Sequence, residues 1–197
     1  MKQEKEFARN RLMALCSRRE ISSAQAREKL LKMLPDATAK EADEIVGSLK
    51  AAGYIDDARF AGAFTRDRLR FSKWGPQKIL KGLSDAGVEK TIAEQAVEAE
   101  ETLALKVLSD LLSKKRKELE TRQEKKVAEY KTKLEALQRE LSSIQQGDFR
   151  QKASLQRKIY ALQMKMRMGA LQVREALAAY ARTKGFPTEL IDRCGIK

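Results

Sequence analysis

The chain has 197 residues and a mass of 22.3 kDa, with 42% hydrophobic and 35% charged residues, a net charge of +13 and no histidine. That length suits one domain, or one domain with an appendage, and the composition suits a helix-rich protein with long solvated faces. No apolar run approaches the roughly 20 residues of a membrane span, and MKQEKEFARNR lacks the apolar centre of a signal peptide. A cytoplasmic protein is therefore expected, with no membrane contact and with Cys16 and Cys194 as free thiols.

Start and stop signals recur at short intervals. They predict helices over 4–19, 23–34, 39–52, 57–72, 76–86 and 89–101, followed by something much longer; no alternating Val/Ile/Thr run indicates a strand. Ser22 with Gln25 and Thr38 with Glu41 have the spacing of capping boxes. Gly75-Pro76 places proline at a first helical position, where its missing N–H has no partner to lose. Gly53, Gly87 and Gly185 each follow an apolar helical stretch, where a left-handed residue ends a helix.

A faint internal repeat accompanies these signals. An offset of 49 aligns Leu15 with Phe64, Arg19 with Arg68, Leu30 with Ile79 and Leu34 with Leu83. An offset of 98 aligns Ile79 with Leu177, Gly87 with Gly185 and Ile92 with Leu190. Three-helix units over 1–56, 57–101 and 102–197 are expected, stacked to bury their apolar stripes.

The third unit is interrupted at about 115–174. Val127, Tyr130, Leu134, Leu137, Leu141 and Ile144 alternate steps of three and four, and so do Leu155, Ile159, Leu162, Met166, Gly169 and Val173. Facing positions of an antiparallel hairpin share a constant sum of residue numbers. Leu141 with Leu155, Leu137 with Ile159, Leu134 with Leu162 and Tyr130 with Met166 all give 296. Extension of the rule faces Val127 with Gly169, Gln123 with Val173 and Leu119 with Leu177, and sets the turn at Gly147-Asp148. The expected architecture is all-α: tandem three-helix repeats forming an elongated helical body, with a projecting antiparallel coiled-coil hairpin about 40 Å long at 1.5 Å per residue. A parallel intermolecular dimer would instead bury Gly147-Asp148 in mid-helix.

No motif of the chain reads as an enzyme signal. Without histidine the usual general base and commonest metal ligand are gone, and two cysteines 178 positions apart make no zinc pattern. Gly82 and Gly87 have phosphate-loop spacing, but Val88-Glu89 stands where Lys-Ser/Thr is required. Asp56-Asp57 reads as a helix cap. No enzyme activity, catalytic residue, metal or cofactor is expected.

The charge is uneven. Residues 1–101 carry a net +2 and residues 102–197 a net +11, which favours a polyanionic partner. Two basic stretches stand out as partner- or nucleic-acid-binding candidates. The first holds Arg59, Arg66, Arg68, Arg70, Lys73, Lys78 and Lys81 against one acid, Asp67, with Phe71 and Trp74 among them. Those aromatics either stack on a base or close the core at a helix end, and the arginines either grip phosphate or carboxylate or form a solvated face. The second is the acid-free returning arm, with Arg150, Lys152, Arg157, Lys158, Lys165, Arg167 and Arg174. Pairing with acids of the outgoing arm would absorb only part of its charge.

The stretch GYIDDARFAGAFTRDRLRFSKWGPQKILKGLSDAGV, from Gly53 to Val88, resembles the middle repeat of the RecX family. LCSRREISSAQAREKLL, from Leu15 to Leu31, resembles its first repeat, and EALAAYARTKGFPTELI, from Glu175 to Ile191, weakly resumes the pattern. The resemblance implies a curved, basic array of three-helix units that lies in the groove of the RecA–DNA filament and inhibits ATP hydrolysis and strand exchange. It implies a RecA filament partner, single-stranded or filament-bound DNA, and a monomer. The inserted hairpin departs from that pattern. A general DNA- or RNA-binding helical module and a scaffold acting through the hairpin remain the alternatives.

Overall fold

Apolar residues at helical spacing dictate the architecture: Ala42, Val46 and Leu49 fall on one face of a helix, as do Ile79 and Leu83, and all five are buried. The computed structural model describes residues 2–144 and 148–196, and among these no strand occurs. The helices are α1 (Lys2–Cys16), α2 (Ser23–Met33), α3 (Ala39–Ala51), α4 (Asp57–Asp67), α5 (Pro76–Asp85), α6 (Lys90–Glu98), α7 (Glu101–Ser143), α8 (Phe149–Arg167), α9 (Gly169–Thr183) and α10 (Thr188–Arg193). The chain is all-α, as expected. The helix anticipated over 57–72 changes its hydrogen-bond spacing at its end, where Arg68–Ser72 form a π-helical turn. Gly147 of the anticipated turn lies outside the described residues.

The chain divides into two compact units. Unit 1 takes the residues up to Leu108 together with Lys184–Leu190, and unit 2 takes Ser109–Thr183 together with the residues from Ile191.

In unit 1, α1, α2 and α3 enclose a core that includes Leu12, Leu30, Leu49 and Ile55. Each such side chain contributes roughly 1.5–3 kcal/mol by leaving water. Thr38 and Glu41 form the reciprocal capping box at the start of α3. Lys5 also donates to Glu41, and its bond, with those from the Thr38 backbone and side chain, holds the Glu41 carboxyl down at about 2. Ser22 does two jobs. Its hydroxyl accepts from Gln25 N at the start of α2 and donates to Ala86 O at 2.6 Å, tying α2 to the end of α5 while fully buried.

The adjacent acids divide the labour. Asp56 caps α4 by accepting from Ala58 N and Arg59 N. Asp57 reaches instead to the first turn of α2, accepting from Ser23 N at 2.7 Å and Ser23 Oγ at 2.6 Å, and from Lys50 Nζ at 3.1 Å. Burial alone would raise the Asp57 carboxyl, but these donors outweigh it and hold it below its ordinary value.

Segment 184–186 docks against the start of α5. Gly75 N donates to Lys184 O at 2.7 Å and Gln77 N to Gly185 O at 3.0 Å. A Cβ on Gly75 would stand 2.4 Å from the Gly185 carbonyl, so only glycine allows the approach. Phe186, which follows, is completely buried.

Unit 2 carries the two heptad seams. Along α7 the residues withdrawn from solvent beyond Lys115 are Leu119, Gln123, Val127, Tyr130, Leu134, Leu137 and Leu141, with Ile144 just past its end, and all are half-buried. Leu155, Ile159, Leu162, Met166, Gly169 and Val173 are the corresponding set on α8 and α9. The arms run antiparallel. Ala136 and Leu137 line one shallow groove with Ala161 and Leu162, while nearer the base Lys115 Nζ sits 5.5 Å from the centre of the Tyr180 ring. At Gly169 the register differs from the constant sum. The Gln123 side chain fills the space where a Cβ would stand, although Val127 was expected there. The bare Cα admits a long amide reaching across by about one helical turn, next to the junction of α8 and α9 at Met168.

Both cysteines are free, and burial pushes each thiol up, above its ordinary value.

Candidate functional site

The first basic stretch spans α4, the π-helical turn and α5. Its seven cations divide into two groups.

Three are engaged within the fold. Arg59 donates through Nε to Glu20 at 2.6 Å and through Nη2 to Gly53 O at 3.2 Å, so it anchors the turn before its own helix. Arg66 Nη1 pairs with Glu100 at 3.2 Å. Arg68 lies between two rings, 4.8 Å from the centre of Phe64 and 4.9 Å from that of Trp74. Gly82 makes room for those rings, since a Cβ there would stand 2.9 Å from Phe64 and 3.4 Å from Trp74.

The π-helical turn explains how the sandwich forms. The Arg68 carbonyl accepts from both Lys73 N and Trp74 N, which widens the last turn and swings Trp74 back over the Arg68 guanidinium. Lys73 pays the conformational cost with a φ of 54°, a left-handed geometry usually reserved for glycine.

Arg70, Lys73, Lys78 and Lys81 form the second group, all exposed and, among the described residues, without an ion pair. Lys78 and Lys81 share one face of α5 at i, i+3. Phe71, between Arg70 and the left-handed Lys73, is 80% exposed. An aromatic ring beside free cations can stack on a base or pack on an apolar partner while the cations meet phosphate or carboxylate. Of the two readings of the aromatics, Trp74 is stacked into the fold and Phe71 is not.

On the returning arm Arg150, Arg157, Lys158, Lys165 and Arg167 are exposed and Lys152 is half-buried. No ion pair joins them to α7 among the described residues; two acids of α7 pair within their own helix instead, Glu118 with Lys115 and Glu135 with Arg139. The charge of this arm is therefore uncompensated.

Sequence reasoning missed which cations are engaged, because their partners are distant in the chain. Glu20 lies 39 residues from Arg59, and Glu100 lies 34 from Arg66. Among the described residues no group of His, Cys, Asp or Glu side chains is placed to hold a metal ion, and no helix is long and apolar enough to cross a membrane.

The family model for the second three-helix domain of RecX matches residues 56–97, which hold the whole first basic stretch. A regulatory protein RecX of Thermus thermophilus is 36% identical over 96 residues, which cover 47% of this chain and 64% of that protein. One from Cronobacter sakazakii is 28% identical over 95 residues, covering 44% of this chain and 57% of its own. The chain thus spans just under two thirds of the length of the Thermus relatives it matches. Among solved structures, RecX from Lactobacillus salivarius superposes with a TM-score of 0.61 at 18% identity, covering 98% of this chain and 96% of that one. A second RecX crystal structure gives 0.58 at 15% identity, covering 98% and 72%. At those identities the superpositions speak for the fold, and the sequence matches make about half of this chain similar to regulatory proteins RecX, with residues 56–97 matching the model of their second three-helix domain.

Proposed function

We propose that this protein binds the RecA recombinase filament and slows its ATP hydrolysis and strand exchange, using the exposed cations Arg70, Lys73, Lys78 and Lys81 around Phe71. The observation that carries this reading is the coincidence of the family match at 56–97 with the unpaired part of the first basic stretch. A filament groove lined with carboxylates and phosphates is the surface such a face complements. Arg59, Arg66 and Arg68 support the face from within the fold.

The test is RecA-catalysed, single-strand-dependent ATP hydrolysis in the presence of the intact protein. Inhibition is expected, with at least tenfold more protein needed once Arg70, Lys78 and Lys81 are all changed to Glu. Hydrolysis that stays unchanged at saturating wild-type protein would sink the proposal. A second reading, a general nucleic-acid-binding module, draws on the exposed ring of Phe71. It predicts steeply salt-dependent binding to single-stranded DNA without RecA, and a Phe71→Ala variant that binds as well as wild type removes it.

A further inference from the structure

The arm of unit 2 has two apolar faces, and the heptad seam uses only one. Tyr160, Met164, Met168 and Leu171 follow one another at spacings of four, four and three, and all are exposed, Tyr160 by 65%. Helical bonds cross the α8–α9 junction, from Met168 N to Met164 O and from Gln172 N to Met168 O, so the four residues lie on one nearly continuous rod. At 100° per residue their stripe points roughly 160° away from Leu155, Ile159, Leu162 and Met166, the seam on the same rod. Phe149, 81% exposed, falls on the same line at the start of α8.

Large apolar side chains at this spacing match the seat of a helix, and methionine-rich seats adapt to the partner's shape. The surroundings say what kind of helix. The arm has no acid between Phe149 and Arg174, and by the same angular reckoning Arg150 and Arg167 border the stripe while Arg157 falls on its line. A second copy of this chain would bring the same cations against themselves. Single-stranded nucleic acid needs closely spaced rings, whereas Met164, Met168 and Leu171 cannot stack a base and the two aromatics stand roughly 16 Å apart. We propose that this outer face docks an acidic amphipathic helix of a partner protein, whose apolar stripe packs on Tyr160, Met164, Met168 and Leu171 while its carboxylates meet the flanking arginines. This surface is separate from the cations of the first basic stretch, so it stands or falls independently of filament binding there.

The test uses the full-length protein and a fluorescent synthetic helical peptide of about three heptads, leucine at a and d and glutamate elsewhere, with a scrambled peptide of identical composition. Fluorescence anisotropy should show at least tenfold tighter binding of the patterned peptide. Changing Met164, Met168 and Leu171 together to Gln should abolish that preference, with unchanged helicity and melting temperature because the three are exposed. Changing Arg150, Arg157 and Arg167 to Gln should weaken binding and flatten its salt dependence. Equal binding of the two peptides, or a preference that survives the Gln variant, overturns the proposal. A Gln variant that leaves peptide binding intact yet loses affinity for oligo(dT), or for vesicles of anionic lipid, or that dissociates a wild-type dimer, overturns it in favour of those occupants.

Discussion

Seven cations stand between Arg59 and Lys81 and seven more between Arg150 and Arg174, yet the fold treats the two sets differently. In unit 1, Arg59 and Arg66 are held by carboxylates and Arg68 by two rings. On the arm, none of the seven makes an ion pair among the described residues. Charge counted along a chain is therefore a poor guide to charge offered to a partner. What matters is whether tertiary packing brings acids to it. Helices stacked on several sides supply such acids, and a two-helix arm leaves its outer face without neighbours.

Packing follows the same division. Leu49 and Leu83 in unit 1 are completely buried, whereas most seam residues, such as Leu137 and Ile159, are half-buried, because two helices cover a side chain from fewer sides; Leu155, at 3%, is the exception among the seam leucines. Leu49→Ala should therefore cost about 3–4 kcal/mol by opening a cavity, read from chemical denaturation. A cost below 1 kcal/mol would show that the core of unit 1 is no tighter than the arm.

Asp57→Asn probes the polar tie between α2 and α4 and should cost about 2 kcal/mol at neutral pH, since it weakens three hydrogen bonds to a carboxylate. Its pH dependence has a definite sign. The folded carboxyl sits below its unfolded value, so its stabilisation is complete above about pH 4 and fades as pH falls through the lower, folded value. The gap between wild type and Asp57→Asn should therefore close on acidification. A gap that stays constant down to pH 2 would mean that charge plays no part in the tie.

Leu137→Ala should cost about 1–2 kcal/mol, the share of a half-buried leucine. An effect equal to that of Leu49→Ala would erase the contrast between seam and core. Smallest is Lys73→Gly, which relieves a left-handed backbone and should raise stability by about 0.5–1 kcal/mol. A loss of similar size would show that the Lys73 side chain contributes more than its geometry costs.

Most of the helices and both seams were legible in the sequence, because heptads, caps and helix-ending glycines are local patterns. Gly53, Gly87 and Gly185 all take positive φ, and the Thr38–Glu41 box closes as its spacing indicates. What stayed hidden depends on residues far apart in the chain. Ser22 showed its cap but not its bond to Ala86, 64 residues away. Asp57 looked like a second cap for its own helix and turned out to serve α2. The π-helical turn at Arg68–Ser72 left no local mark, because it is stabilised by where Phe64, Trp74 and Gly82 meet. For the candidate site, the basic stretches could be read directly, while the split between engaged and available cations could not.

The bond from Gly75 N to Lys184 O also bears on how the protein is made. Unit 1 is written in two pieces of chain with Ser109–Thr183 between them. On the ribosome its earlier helices emerge with the Gly75 amide unclaimed, and the segment that satisfies it arrives only after the whole arm has been synthesised. An unstructured intervening segment would make that closure a long-loop search. Zipping of the arms places Lys115 beside Tyr180 and shortens the search to a few residues at either end. A hairpin that zips first would thus splint the closure of unit 1, and a translation pause within α8 would hold unit 1 one segment short of completion.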